Sequence, residues 1–327
     1  MSKRILVTGS SGFIGACLVK ALLGRGFEVV GLDIQMPDYS EQDFRFEQCD
    51  ILNPGQLERV LLKCRPQAIV HLAARTDLNG KGLSDYAANI EGVENLVKAV
   101  ANTPTVQRCI YTSSQLVCRV GDVPKGEQDY CPNTMYGQSK VFTEKIVRQH
   151  DGGGTEWCLV RPTTVWGAGM NPHYQGFFRM VYRGRYFHVG RGPLYKSYGY
   201  IGNVVYQYQK LLAAPVEQIQ RRMFYLADYE PLALNAWVDA LQRELGSRSI
   251  LVIPKSLAKI AAVLGDLINA AGVKSFPFNT FRLNNILTEY RYDLAPTEKV
   301  CGPLPYTMEQ GVQETAVWIR TLLKNKE

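Results

Sequence analysis

Apolar, β-branched runs recur along the first half of the chain, at Arg4–Thr8, Glu28–Leu32, Ala68–Leu72, Cys109–Ser113 and Cys158–Val165. Between them lie stretches with helical spacing: Ile14–Leu23, Pro54–Lys63, Val93–Ala101 and Tyr136–Arg148. Strands separated by helices of this length predict an α/β fold, a doubly wound parallel sheet with helices on both faces. After residue 167 the rhythm breaks. Segments rich in Gly, Tyr and Arg alternate with isolated helical patterns at Gly202–Leu212, Leu232–Leu245, Ser256–Ala271 and Met308–Lys324. They predict a smaller C-terminal α/β lobe packed over the sheet's C-terminal edge. Phe224-Tyr225-Leu226 is a candidate strand returning to the main sheet. The expected division is therefore 1–166 and 167–327, with the first unit taking back a segment near 200–230.

Length and composition fit this reading. A chain of 327 residues, 46% hydrophobic and 20% charged, can bury a full core as one large domain or two intimate ones. No apolar run approaches the ~18 residues of a membrane span. Met1-Ser2-Lys3-Arg4 leads into a short strand and glycines, without the longer apolar core of a secretory signal. The expectation is a cytoplasmic protein with no membrane partner. Cysteines at 17, 49, 64, 109, 118, 131, 158 and 301 show no CxxC or Cys/His spacing. They read as free, buried thiols, and no metal site is expected.

The net charge of +7 is unevenly spread. Between Trp157 and Val216 there is no Asp or Glu, while Arg161, Arg179, Arg183, Arg185, Arg191, Lys196 and Lys210 fall there. A long one-signed segment favours an anionic partner. No nucleic-acid motif accompanies it. A phosphorylated small substrate explains the charge; so does a plainly solvated surface.

Two motifs carry chemistry. The first is Thr8-Gly9-Ser10-Ser11-Gly12-Phe13-Ile14-Gly15, between the first strand and first helix. Gly9 permits a tight turn, Gly12 lets backbone approach a pyrophosphate, and Gly15 lets the helix pack close to the sheet. The helix N-terminus then offers free N–H groups and its positive dipole end to phosphate. Asp33 closes the second strand, where a carboxylate accepts ribose hydroxyls and repels a 2′-phosphate, so NAD is expected over NADP.

The second motif is Tyr136-Gly137-Gln138-Ser139-Lys140. Residues four apart share a helix face. A free tyrosine, with a pKa near 10, is a poor base at neutral pH. Lowering it by roughly 3 units takes about 4 kcal/mol. A lysine ammonium and an oxidised nicotinamide are suitable sources of that stabilisation.

With these motifs and others, the chain resembles the extended short-chain dehydrogenases/reductases of the nucleotide-sugar epimerase/dehydratase family. Thr8 to Gly15 resembles that family's TGxxGFIG. Asp50-Ile51 resembles its adenine-contacting pair, His71-Leu72-Ala73-Ala74 its HLAA strand end, and Asn89 with Gly92 the asparagine of the next helix. Tyr111 to Val117 resembles its SSxxVYG segment, and Arg161-Pro162 precedes the substrate lobe. Asp293, Gly302, Pro305 and Gly311 follow its looser C-terminal pattern.

The resemblance implies a Rossmann domain binding NAD through Gly9, Ser11, Gly12, Phe13, Ile14, Gly15, Asp33, Asp50, Ile51, Leu72, Ala73, Ala74, Asn89, Tyr136 and Lys140. It implies Ser114, Tyr136 and Lys140 as catalytic residues. Ser114 bonds the reacting oxygen, with Ser113 as the competing choice. Tyr136 moves the proton, and Lys140 binds the nicotinamide ribose. Ser114, Thr164, Arg191 and Lys196 are the implied substrate contacts; Arg191 and Lys196 stand in a glycine-broken segment where cations of the family meet a diphosphate. A homodimer is implied as well.

The departures narrow the activity. Gln115-Leu116 replace the Asp-Glu pair of the family's 4,6-dehydratases, so the groups for eliminating water are missing. Cys118 replaces the VYG tyrosine, Thr164 an asparagine of many UDP-sugar epimerases, and Ile201-Gly202-Asn203 the family's VxD. The implied activity is NAD-dependent epimerisation of a nucleotide-diphosphate sugar at C4 through a transient 4-keto sugar. A 4-keto-sugar reductase and a non-catalytic NAD-binding regulatory protein are the alternatives.

Overall fold

The computed structural model describes residues 3–38, 44–122, 124–270 and 278–324. Strands β1 (Arg4–Thr8), β2 (Glu28–Asp33), β3 (Arg45–Gln48), β4 (Ala68–His71), β5 (Arg108–Thr112) and β6 (Glu156–Pro162) come first. Then follow β7 (Thr164–Trp166), β8 (Phe187–Val189), β9 (Tyr195–Lys196), β10 (Tyr198–Tyr200), β11 (Arg222–Leu226), β12 (Leu232–Ala233) and β13 (Leu251–Ile253). Seven strands form the main sheet in the order β11-β6-β5-β4-β1-β2-β3. Every neighbouring pair is parallel.

Both faces of this sheet are buried, which is why its strands read as continuous apolar runs. Successive side chains alternate between two cores. Ile5 and Val7 enter one core, and Leu6 the other. Cys158 and Val160 are likewise opposed to Trp157 and Leu159.

The helices of the first half are α1 (Phe13–Leu23), α2 (Pro54–Cys64), α3 (Ala87–Ala101), α4 (Met135–Gln149) and the short α5 (Asp151–Gly154). Those of the second are α6 (Pro172–Tyr182), α7 (Ile201–Ala213), α8 (Val216–Ile219), α9 (Leu234–Leu245), α10 (Lys255–Ala270), α11 (Thr280–Leu287), α12 (Ala295–Cys301) and α13 (Met308–Lys324). Ala271, the last residue of the helix expected from Ser256, lies outside the described residues. Leu18 and Leu22 of α1 share their core with Val204, Tyr208 and Leu211 of α7. Leu57 and Leu61 of α2 and Val93 and Leu96 of α3 fill the other core. The second half of the chain thus contributes both α7 and the edge strand β11 to the layered body.

The rest of the second half is stitched by two-stranded pairs, β10 with β7, β12 with β9 and β13 with β8. The cysteines are free thiols, six of them buried.

Candidate active site

The strand order reverses between β1 and β4. In open parallel sheets the crevice at such a reversal, beyond the strand C-termini, is where ligands bind. The chain leaves β1 through Gly9, whose φ is +69°. A Cβ there would lie 2.6 Å from the Ala73 nitrogen, so the turn and the β4 segment meet only around a glycine. Thr8 Oγ1 accepts from the Leu72 and Ala73 amides, both at 3.2 Å, and holds the two strand ends together. It also lies 2.8 Å from His71 Nδ1. Burial, helped by the Lys140 charge, lowers the His71 pKa to about 3, so this imidazole is neutral.

Helix α1 opens at the same place. A Cβ on Gly15 would stand 2.1 Å from the Gly9 carbonyl oxygen, so only glycine allows this approach. Gly12 is the N-cap and supplies no side-chain cap. The first bond inside the helix runs from the Ala16 N–H to the Gly12 carbonyl at 2.8 Å. The Phe13, Ile14 and Gly15 amides precede it, and the first turn carries no acid. A helix end left this way presents donors and positive potential to an anion.

Asp33 stands beside this helix end. Its Oδ2 accepts from the Ser11 N–H at 3.0 Å and its Oδ1 from the Gln35 N–H at 3.1 Å. Those bonds fix the carboxylate and leave lone pairs for further donors. Asp50 is exposed, with Oδ1 on the Leu52 N–H at 2.9 Å. Ile51 is buried against Gly92, where a Cβ would fall 2.6 Å from its Cδ1. Asn89 is fully buried. Its Oδ1 accepts from the Arg75 N–H at 2.9 Å, and its Nδ2 donates to the Arg75 carbonyl at 3.0 Å and to Ser139 Oγ at 2.9 Å. It ties the segment after β4 to α4. The glycine cradle, the open helix end and the fixed carboxylate together fit a dinucleotide.

Ser114, Tyr136 and Lys140 meet at the end of β5. Ser114 caps a short turn, Gln115–Val117, and its Oγ accepts from the Leu116 N–H at 3.1 Å. Helix α4 starts at Met135, where Thr134 Oγ1 accepts from the Gly137 N–H at 3.0 Å. A Cβ on Gly137 would lie 2.2 Å from the Leu116 carbonyl oxygen. Gly137 therefore lets α4 close on this turn and brings Tyr136 to Ser114. Burial drives the Tyr136 pKa well up, while the Ser114 hydroxyl bonded to it pulls the other way. The Ser113 hydroxyl, by contrast, is buried without a partner.

One turn on, Lys140 is 2% exposed and donates through Nζ to the Thr112 carbonyl at 2.9 Å. Burial lowers its pKa to about 8, opposed by the Glu144 carboxylate a further turn along. Glu144 is itself held by Arg161, whose Nε and Nη2 reach its oxygens at 2.7 and 2.8 Å, both side chains being fully buried. The protein alone thus holds a neutral phenol one helical turn from an ammonium. Ionising the phenol near neutral pH requires further positive charge.

Around Tyr136 stands a group of tyrosines that sequence reasoning did not single out. The Tyr86 ring lies 6.1 Å from Tyr136, and Tyr208 bonds Thr112 Oγ1 at 2.9 Å. Tyr174, on α6, lies close enough to push up both Tyr136 and Tyr198. Tyr290 stands 6.1 Å from Tyr198, ring to ring. Thr164 Oγ1 joins them, 3.4 Å from both the Tyr290 hydroxyl and Gln115 Nε2. The signal for this cluster was the tyrosine-rich, acid-free segment itself, though Tyr86 and Tyr290 come from outside it.

Arg191 and Lys196 part company. Arg191 is exposed in the turn before β9. Lys196 is 2% exposed, and its Nζ donates to the Asn285 carbonyl at 2.8 Å and to that of Thr288. The structure gives this lysine a different task from the open-loop phosphate contact expected of it. Pairing of β9 with β12 turns the side chain inward. Among the described residues no carboxylate bonds it, Glu289 acting only through its charge, and the ammonium is solvated by carbonyls at the C-terminal end of α11.

Fold and site define a dinucleotide-binding protein in which a buried tyrosine and a buried lysine stand one helical turn apart at the end of β5. A profile of the NAD dependent epimerase/dehydratase family matches residues 5–224, and the chain belongs to that family. It is 24% identical over 323 residues to an N-acetyl-alpha-D-glucosaminyl-diphospho-ditrans,octacis-undecaprenol 4-epimerase of Escherichia coli O157:H7, covering 96% of this chain and 95% of that protein. It is 32% identical over 248 residues to a 3-beta-hydroxysteroid dehydrogenase of Mycolicibacterium neoaurum, covering 70% of this chain and 66% of that one. The fold superposes on the UDP-glucuronic acid 4-epimerase of Bacillus cereus, solved with UDP-glucuronic acid and NAD. The TM-score is 0.75 at 19% identity, over 98% of this chain and 99% of that one.

Proposed function

We propose that this protein is an NAD-dependent 4-epimerase of a nucleotide-diphosphate sugar. The observation that carries the reading is the meeting of Ser114, Tyr136 and Lys140 beside the crevice between β1 and β4. The near full-length likeness to a 4-epimerase favours epimerisation over net reduction. Gln115 and Leu116 supply no acid–base pair for elimination.

The α1 amides and Asp33 would hold NAD, which when bound would supply the hydride acceptor and, once reduced, the donor. Ser114 Oγ donates to the C4 oxygen of the sugar and orients it. Tyr136 takes the C4 hydroxyl proton, and Lys140 stabilises its phenolate from the same helix face. The resulting 4-keto sugar turns over in the pocket and presents its other face. Tyr136 then returns the proton, and no net redox change remains.

Residues 1–166 carry the cofactor in this account, and residues 167–327 mainly hold the substrate. Thr164 and Arg191 contact the substrate, and Lys196 braces the wall behind them. The protein acts in the cytoplasm as a homodimer and needs no nucleic acid. The test is incubation with a panel of uridine, thymidine and guanosine diphosphate sugars, read by NMR. One sugar should equilibrate with its C4 epimer while NAD stays unchanged. Stoichiometric formation or consumption of NADH would replace the reading with the reductase.

A further inference from the structure

Helix α10 is turned inside out for a helix that packs only on its own protein. Its buried residues are small, Ala258, Ala262 and Gly265. The two alanines pack with Val189 and Leu283. Its large apolar residues face outward: Leu257, Ile260, Leu264 and Leu267 are 56%, 58%, 53% and 61% exposed. They recur every three or four residues, so they form one stripe along the helix. Leu251 and Val252 of β13, which runs through Pro254 into α10, continue the exposed apolar surface. Ordinary helices bury such residues, and contiguous apolar patches mark interaction sites.

The rim of this stripe is basic. Lys255 and Lys259 lie in the first turns of α10, and the Gly190 backbone lies against the Lys255 side chain. At the other end of the β8–β13 pair, Gly184 lies against Arg248. Arg185 precedes β8 in sequence. These cations are exposed, and none of them forms an ion pair among the described residues. Asp266, the acid of α10, faces the Thr280 amide at 3.3 Å.

We infer that this face docks the protein on an anionic lipid surface. Leu257, Ile260, Leu264 and Leu267 enter the boundary between headgroups and acyl chains, and the lysines and arginines meet lipid phosphates. Charge decides the occupant. The exposed cations form no ion pair among the described residues, and an anionic surface neutralises them together; a second copy seated on this face is the outcome the test separates. Among the described residues no helix is long and apolar enough to cross a membrane. The docking is peripheral, a mode that the lack of a spanning run in the sequence does not address.

Sedimentation of the full chain with phosphatidylcholine vesicles, with and without phosphatidylglycerol, tests this without any turnover. It therefore stands or falls separately from the epimerase reading. Binding should require phosphatidylglycerol and weaken with salt. Ile260→Gln/Leu264→Gln should abolish it, and Lys255→Gln/Lys259→Gln should weaken it by about tenfold or more. Both variants change exposed side chains and should keep the wild-type melting curve and NAD affinity. The inference is overturned if neither vesicle binds, if neutral vesicles bind equally well, or if the glutamine variant binds like wild type. It is also overturned if the face instead drives self-association that Ile260→Gln/Leu264→Gln dissolves.

Discussion

The crevice between β1 and β4 and the tyrosine cluster of the second half of the chain are built by opposite means. In the crevice the backbone does the work: Gly9 and Gly15 bring chain against chain, and the first amides of α1 face outward. In the lobe, side chains do it. Thr164, Tyr174, Tyr198 and Tyr290 arrive from different elements and meet only once the chain is folded. A backbone site tolerates few sequences, because a Cβ at Gly15 would sit 2.1 Å from an oxygen. A side-chain site can be rebuilt with other residues on the same frame.

The comparison breaks most severely at the junction. Arg161, at the end of β6, holds Glu144 of α4 and stacks on Tyr225 at 5.6 Å. Arg161→Met strands a buried carboxylate, and should cost about 3–5 kcal/mol in urea-induced unfolding. Tyr136→Phe leaves packing intact and removes only the hydroxyl. Turnover should fall by about 10²-fold or more, with NAD affinity unchanged by titration.

The wild-type pH profile should show the Lys140 contribution. Its pKa is depressed to about 8, so the ammonium is present below that pH and lost above it. Turnover should decline on the alkaline side. Stability of the cofactor-free protein should rise over the same window, since the unfolded chain keeps this proton to higher pH.

Smaller effects sharpen the contrast within the lobe. Lys196→Met leaves carbonyls of α11 without their donor and should destabilise by about 1–2 kcal/mol. Arg191→Ala should change stability by less than about 0.5 kcal/mol, yet weaken nucleotide-sugar binding at low salt. In the crevice the matching substitution is Asp33→Asn. It should reduce the preference for NAD over NADP by about tenfold, measured by titrating both cofactors.

The same contrast explains what the sequence revealed. Strand β1 was read as Arg4–Thr8 and helix α13 as Met308–Lys324, as found, because core-facing periodicity dominates them. Helix α6 was missed, since its apolar positions sit inside a glycine- and arginine-rich stretch that reads as loop. Strand β3, Arg-Phe-Glu-Gln, is an edge strand, too short and polar to stand out. The expectation for Lys196 came from flanking glycines and charge. What overrode it was a helix end supplied by Asn285 and Thr288, about 90 residues away, a partner that no local pattern encodes.

The central claim is that Tyr136 moves a proton while hydride leaves and returns to the same sugar carbon. It is tested most directly with a nucleotide sugar deuterated at C4, chosen from the panel that turns over. The account predicts an epimer that retains deuterium at C4, with no net NADH and turnover lowered by about 10²-fold or more in Tyr136→Phe. Inversion with loss of the label to solvent, or a stoichiometric keto product with deuterium on the cofactor, would contradict it.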